Sequence, residues 1–298
     1  MEHINLKGLG VALITPFKRN GDVDYPALIR LTDYLLQNGV DYLVVLGSTG
    51  EPPALSLEEQ QTIVQSVVSQ VNGRVPVILG VGGNCTRTVV HKIESGDFTG
   101  ISAILSVVPY YNKPTQEGIY QHYKCIAAAT QIPVILYNVP SRTGVNMTAE
   151  TTLRLADECS NIVAVKEASG IREQIIRIIH DKPAGFQVIS GDDLLAAELI
   201  TAGATGLISV IGNAFPRRLK QLVDAALSGD ALQAELIHQH FSELFELLFV
   251  EGNPAGIKGM LHQMGYIENE LRLPLVSASA EINEKIRKAI LSLEKKSI

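Results

Sequence analysis

The segments Val134-Ile135-Leu136-Tyr137 and Ile162-Val163-Ala164-Val165-Lys166 decide the fold. Each is a short run of apolar residues closed by one polar or amphipathic side chain. A strand with one face in water alternates apolar and polar residues. A run that is apolar at nearly every position is a strand covered on both faces, the mark of a parallel sheet flanked by helices. Runs of the same kind stand at Val11–Thr15, Tyr42–Leu46, Pro76–Gly80, Ala103–Val107, Gln187–Ser190 and Gly206–Ser209. Helical periodicity fills the stretches between them, as in Ala27–Gln37, Leu57–Gln70, Thr115–Ala129 and Leu194–Ala202. Ser56 with Glu59 reads as a capping box that opens the second of these.

Eight such strands alternating with helices over roughly 210 residues fit a (β/α)8 TIM barrel, a fold of typically ~250 residues. The alternative, a doubly wound open sheet, is disfavoured because no Rossmann glycine fingerprint follows the first strand. Past Ile211 the pattern is helical only, through Arg217–Leu227, Ala231–Phe249, Pro254–Met264 and Glu281–Leu293. The expected division is a catalytic barrel over residues 1–228 and a C-terminal helical bundle over 229–298.

Composition narrows the function. The 298 residues are 46% hydrophobic, enough for a large core. The net charge of −6 comes without any cluster of Lys or Arg, which argues against a nucleic-acid partner. Met1–Lys7 shows no basic stretch followed by an apolar one, and no apolar run is long enough to span a bilayer. Cys85, Cys125 and Cys159 are odd in number, far apart and free of CxxC spacing, so they read as free thiols in a reducing cytoplasm. No HExxH or other metal-ligand spacing occurs, and His238 and His240, two apart, fall on different faces of a helix. Gly80-Val81-Gly82-Gly83-Asn84 is not followed by GK[ST], and Gly191-Asp192-Asp193 is acidic where many barrels hold a phosphate. Both features argue against a phosphorylated substrate.

In a barrel of this kind, chemistry gathers at the C-terminal ends of the strands. The polar residues that end the apolar runs are therefore the candidates. Lys166 closes the sixth run. An ammonium is costly to bury, and burial favours the neutral amine that acts as a nucleophile. The alternative is a lysine that reaches solvent or pairs with Glu167. Tyr137 closes the preceding run, so adjacent parallel strands set it beside Lys166, where a phenol can move protons. Its alternative is an ordinary half-buried tyrosine. Gly47-Ser48-Thr49-Gly50-Glu51 places two hydroxyls and exposed amides in a tight turn, a cradle for a carboxylate or simply a polar βα turn. Arg142, in Tyr137-Asn138-Val139-Pro140-Ser141-Arg142-Thr143-Gly144, can grip a carboxylate or rest in solvent.

These motifs occur in a particular order, together with Thr15-Pro16-Phe17, Pro109-Tyr110-Tyr111-Asn112-Lys113-Pro114, Val165-Lys166-Glu167 and Gly206-Leu207-Ile208-Ser209. In that order, from about Gly8 onward, the chain resembles the dihydrodipicolinate synthase family of pyruvate-dependent class I aldolases. The resemblance implies a lyase that condenses pyruvate with aspartate 4-semialdehyde through a lysine Schiff base. The product is 4-hydroxy-tetrahydrodipicolinate, in the first committed step of diaminopimelate and lysine biosynthesis. It further implies that Lys166 is the Schiff-base lysine, that Tyr137, Ser48 and Tyr111 are the relay hydroxyls, that Thr49 and Ile208 contact pyruvate, and that Gly191 is a substrate-binding residue. Arg142 would receive the aldehyde's carboxylate. No metal or organic cofactor is implied. Tyr111 is supplied across a dimer interface in relatives, which implies a homo-oligomer, a tetramer built as a dimer of dimers. Ser48 replaces a common Thr and keeps the hydroxyl; Ser141 replaces a common Gly beside Arg142. Sugar-acid lyases of the superfamily would share Lys166, Tyr137 and Ser48-Thr49, but Arg142 in its RTG element and the doublet Tyr110-Tyr111 favour the synthase. A non-catalytic sensor of small acids is disfavoured by the retention of Lys166 and every relay hydroxyl.

Overall fold

The computed structural model describes residues 4–295. Met1–His3, part of the stretch read above for a leader, and the last three positions of the 229–298 extension lie outside the described residues. Eight strands form a closed barrel: β1 (Gly8–Ala12), β2 (Tyr42–Val45), β3 (Val77–Gly80), β4 (Ala103–Val107), β5 (Val134–Asn138), β6 (Ile162–Glu167), β7 (Gln187–Ser190) and β8 (Gly206–Ser209). Every neighbouring pair is parallel, and β8 returns to β1 in the register Gly8↔Gly206 through Val11↔Ser209. The (β/α)8 barrel expected from the runs is the fold of the chain.

The doubly apolar strands have a direct cause. Alternate side chains enter two separate cores. Tyr42, Val44, Ile78, Ile135, Ala164, Ile189 and Ile208 belong to a cluster inside the barrel, which also takes in Leu6. Leu43, Val45, Leu79, Ile104, Leu136, Val165 and Val188 pack outward against the helices. Neither face meets water, so the period-two signal of a half-buried strand is absent.

The helices are α1 (Tyr25–Gln37), α2 (Leu57–Val71), α3 (Thr86–Ser95), α4 (Gln116–Ala128), the single turn α5 (Pro140–Thr143), α6 (Ala149–Glu158), α7 (Arg172–Asp181), α8 (Ala196–Thr201), α9 (Pro216–Ser228), α10 (Ala231–Leu247), α11 (Ala255–Gln263) and α12 (Ala280–Glu294). The capping box at α2 is formed in both directions, Ser56 Oγ accepting from the Glu59 amide and Glu59 accepting from the Ser56 amide. Beyond the last strand α10 packs on α9, and α12 packs on both α10 and α11.

Several boundaries differ from the sequence reading, and two of the shifts have a visible cause. The first strand is Gly8–Ala12, earlier than the apolar run Val11–Thr15. Gly8 and Gly10 give no apolar signal, yet packing demands a missing side chain: a Cβ on Gly10 would sit 2.0 Å from the Tyr42 ring. Ile14 and Thr15 leave the sheet, and Thr15 Oγ1 donates to the Gly50 carbonyl at 2.7 Å. Helix α8 starts at Ala196 and not at Leu194, because Asp192 Oδ1 accepts the Leu194 amide in a preceding turn. Among the described residues, no helix is long and apolar enough to cross a membrane. The three cysteines are unpaired; Cys85 and Cys125 are exposed and Cys159 is buried.

Candidate active site

Lys166 and Tyr137 are direct partners in the β5–β6 register. The Lys166 side chain extends across its neighbour, Nζ lying 4.4 Å from the centre of the Tyr137 ring. Lys166 is 5% exposed and Tyr137 7%. The ammonium therefore neither reaches bulk solvent nor pairs with Glu167, the two ordinary fates of a strand-end lysine. Successive residues of a strand point to opposite faces, and Glu167 is engaged elsewhere. Its carboxylate accepts from Asn138 Nδ2 (3.0 and 3.3 Å), Gln174 Nε2 (3.0 Å) and the Ser169 amide (3.0 Å). Burial raises the pKa of this carboxyl, and those donors pull it back. Asn138 also accepts the Met147 amide through Oδ1 at 3.0 Å, which ties the loop after α5 to the strand tops.

At the end of β2 the chain leaves the sheet through Leu46, whose φ is 54°. Ser48–Gly50 forms a single 3-10 turn, and Glu51 follows in the left-handed region at φ 55°. Almost every residue of the turn is tied down. Thr49 Oγ1 accepts from Asn253 Nδ2 at 3.0 Å, and the Gly50 carbonyl accepts from Thr15. Glu51 is buried against Lys258. The Ser48 hydroxyl makes no hydrogen bond among the described residues, so it is available to a ligand.

Arg142 lies on α5, exposed, with Nη2 donating to the Asn253 carbonyl at 3.0 Å. Asn253 thus links the Ser48–Glu51 turn to the arginine loop. Tyr111 is not brought to Lys166 within one chain: its side chain is 88% exposed and its φ is 74°. Its amide reaches the Thr143 carbonyl at 3.4 Å, and Asn112 Nδ2 donates to the Asn84 carbonyl at 3.0 Å. The loop is anchored at both sides while the phenol projects outward. A bulky residue at positive φ costs about 1–3 kcal/mol and persists only where its surroundings enforce it.

Gly191 and Ile208 complete the rim. A Cβ on Gly191 would lie 2.8 Å from Lys166 Cε and 2.9 Å from the Ala168 Cβ, so glycine is what leaves the lysine stem its path. Ile208 is wholly buried, in the interior cluster that contains Tyr137 and Ile189. Asp193 does not face the barrel mouth. Its carboxylate accepts from the Ser209 hydroxyl, the Val210 amide (2.9 Å) and the Ile211 amide (3.4 Å). Burial pushes its pKa up to about 6, against those hydrogen bonds. Backbone amides after β8 are the ones that many barrels offer to a phosphate; here a carboxylate of the chain already fills them.

The sequence reading missed Asn253, Lys258 and Arg272. The available signal was a lysine in Ala255-Gly256-Ile257-Lys258-Gly259-Met260-Leu261, where every residue is buried. A lone cation in an otherwise apolar helix calls for a buried anion somewhere in the fold. Nothing local says that the anion is Glu51, since the two meet only through the barrel's closure.

The model of the dihydrodipicolinate synthetase family matches residues 5–293. The 4-hydroxy-tetrahydrodipicolinate synthase of Azobacteroides pseudotrichonymphae is 63% identical to this chain over 98% of both proteins. The solved dihydrodipicolinate synthase of Thermotoga maritima superposes with a TM-score of 0.95 at 41% identity, covering 98% of this chain and 99% of that one. The enzyme of Cyanidioschyzon merolae, solved with lysine bound, gives a TM-score of 0.93 at 38% identity over 97% and 98%.

The packing of Gly191 yields an expected outcome. Gly191→Ala would set a Cβ 2.8 Å from Lys166 Cε and 2.9 Å from the Ala168 Cβ, so the lysine stem must shift and the amine with it. A misplacement of this kind costs up to roughly a hundredfold in rate. The rate of borohydride-trapped reductive alkylation of Lys166 by a small ketone, measured on the folded fraction, should fall. Unchanged trapping would show that the glycine is not needed for the lysine's path.

Proposed function

The chain belongs to the dihydrodipicolinate synthetase family, and on that premise we propose that it condenses pyruvate with aspartate 4-semialdehyde to 4-hydroxy-tetrahydrodipicolinate, with Lys166 as the Schiff-base residue. The observation that carries the reading is a buried amine with no carboxylate partner among the described residues, registered beside a tyrosine at the mouth of a closed barrel.

The chemistry follows from the groups present. The neutral amine of Lys166 adds to the ketone carbon of pyruvate, and water leaves with protons moved by Tyr137. The protonated imine draws electrons from the adjacent methyl group, so that a proton departs to give an enamine. The enamine carbon attacks the aldehyde, and the alkoxide formed is protonated. The amine of the second substrate then displaces Lys166, closes the ring and regenerates the free lysine. Ser48 and Thr49, with the amides of their turn, receive the pyruvate carboxylate, Gly191 and Ile208 line that pocket, and Arg142 receives the carboxylate of the aldehyde. Arg142 is pre-set for this by its contact to the Asn253 carbonyl, which fixes one side of the guanidinium. No step draws on a metal or an organic cofactor.

Tyr111 sits too far outside its own barrel to serve it, and its enforced positive φ is consistent with a side chain offered to a partner. We therefore read the working form as a homo-oligomer in which Tyr111 enters the neighbouring site, a tetramer as a dimer of dimers, located in the cytoplasm. On this reading the chain divides into a catalytic barrel over 1–228 and a helical bundle over 229–298.

Incubation with pyruvate and borohydride should add one reduced pyruvyl group to Lys166, identified by intact mass and peptide mapping. No adduct, or an adduct on another lysine, would refute the mechanism. Mixing inactive Tyr111→Phe with inactive Lys166→Ala subunits should restore activity, because a mixed dimer contains one complete site. Lack of rescue after verified subunit exchange would remove the shared site.

Regulation by the pathway's end product, lysine, should be weak. In relatives that bind lysine at the dimer interface near the Tyr110 position, a pair of small residues, two histidines and a glutamate surround the ligand. Here Pro52 and Pro53, Leu57 and Gln60, and Thr88 hold those places. Gln60 Nε2 is committed to the Pro52 and Leu55 carbonyls, 3.1 Å from each. A ligand ammonium would enter without its carboxylate, and losing one charge-assisted contact is worth about 1.5–3 kcal/mol, roughly tenfold to a hundredfold in affinity. A dose–response curve with lysine at saturating pyruvate should show little inhibition, and half-inhibition at submillimolar lysine would overturn this.

A further inference from the structure

The ion pair between Lys258 and Glu51 has no role in the chemistry above. Its side chains are 0% and 1% exposed, with Nζ 2.5 Å from Oε1. A pair this deeply buried is no stabilising device by default, since the desolvation of two charges commonly offsets their attraction. What it does supply is a fixed relative position. Neither charge can leave without being stranded among apolar atoms.

What it fixes can be read from its surroundings. Lys258 is carried by α11, and its Nζ also donates to the Glu270 carbonyl at 2.9 Å and lies 4.1 Å from the centre of the Phe17 ring. Arg272 covers the same ring, Cζ at 4.6 Å, and is itself held by Glu59 at 2.7 and 2.5 Å. Its amide points to Glu51 Oε2 at 3.4 Å. The aromatic ring thus sits between two cations, both seated by other contacts, so the lysine is firmly placed. On the other side, Glu51 is the residue in the left-handed region that ends the Ser48–Gly50 turn. Three consecutive residues of that turn are gripped from outside: Thr49 by Asn253, Gly50 by Thr15 and Glu51 by Lys258. Asn253 and Lys258 flank the start of a single helix.

We propose that Lys258 is a positioning residue for the first substrate: by anchoring Glu51 it sets the Ser48–Thr49 turn at the distance at which its hydroxyls and amides receive the pyruvate carboxylate. It acts on pyruvate binding and not on proton transfer. The proposal rests on the reading of that turn given under the proposed function.

The test compares wild type, Lys258→Met and the double variant Glu51→Gln/Lys258→Met by steady-state kinetics in both substrates and by borohydride trapping at graded pyruvate. The single variant strands a buried carboxylate and is expected to yield less folded enzyme. The double variant leaves no buried charge and is expected to fold with a melting temperature near that of the wild type. A purely structural role reduces the number of working sites, which lowers kcat and leaves KM unchanged. A displaced turn raises KM for pyruvate in every folded molecule. The expected result for the double variant is a KM for pyruvate raised roughly tenfold to a hundredfold, with the pyruvate needed for half-maximal trapping rising in step and KM for the aldehyde unchanged. A wild-type KM for pyruvate overturns the proposal, whatever happens to kcat. Failure of the double variant to fold also overturns it, because the pair would then hold the fold and not the turn. If wild type itself is not trapped on Lys166, the reading of the reaction falls, and this inference with it.

Discussion

The structure is organised around the desolvation of one primary amine. Lys166 ends a strand that is buried on both faces, and a barrel can bring such a residue to its mouth only because all eight strands are parallel and close on themselves. Closure places every C-terminal strand end on one rim. It also removes the edges at which a strand-end lysine could find water. The register with Tyr137 places a phenol beside it.

The rim around that amine is assembled from distant parts of the chain, and each part is immobilised before any substrate arrives. Asn253 donates to Thr49 and accepts from Arg142, so one residue sets the relative placement of the two loops that would receive two carboxylates. The Asn138–Glu167–Gln174 network holds the tops of β5 and β6 together from the opposite face. Preorganisation of this kind moves the entropic cost of alignment from the reaction to folding.

The fold was legible because it rests on local patterns. The runs ending in Tyr137 and Lys166 are apolar at all their preceding positions, the pattern of a strand covered on both faces, and helical stretches between such runs point to a parallel sheet. The first strand was placed late because Gly8 and Gly10 are silent in an apolar count, although Tyr42 requires the space at Gly10. Of the candidate site, the residues at strand ends could be read from position alone. Tyr111 could be recognised only by resemblance, since its exposed side chain is not brought to Lys166 within the chain. Lys258 left one local signal, a lone cation in an apolar helix, whereas the partners of Asn253, Lys258 and Arg272, namely Thr49, Glu51 and Glu59, are about 200 residues away in sequence, and long-range pairing leaves no local trace.

The placement of the carboxylates bears on the nucleophilic role proposed for Lys166. Four acidic residues lie in or near the rim: Glu51, Glu167, Asp192 and Asp193. Any of them, aimed inward, would pair with the lysine, hold it as an ammonium and repel an anionic substrate. Each is instead engaged elsewhere: Glu51 by Lys258, Glu167 by Asn138 and Gln174, Asp192 by the Leu194 amide, and Asp193 by Ser209 and the amides after β8. The rim is thereby left with an amine and an arginine facing hydroxyls and amides, a field that draws carboxylates and admits no competing anion from the protein itself. Lys258 belongs to the same arrangement. It is the second buried lysine at this end of the barrel, burial lowers its pKa to about 8 against the pull of Glu51, and its partner keeps it a structural cation. Of these two buried lysines, Lys258 has a carboxylate partner and Lys166 has none among the described residues, which fits the anchoring role proposed for the first and the nucleophilic role proposed for the second.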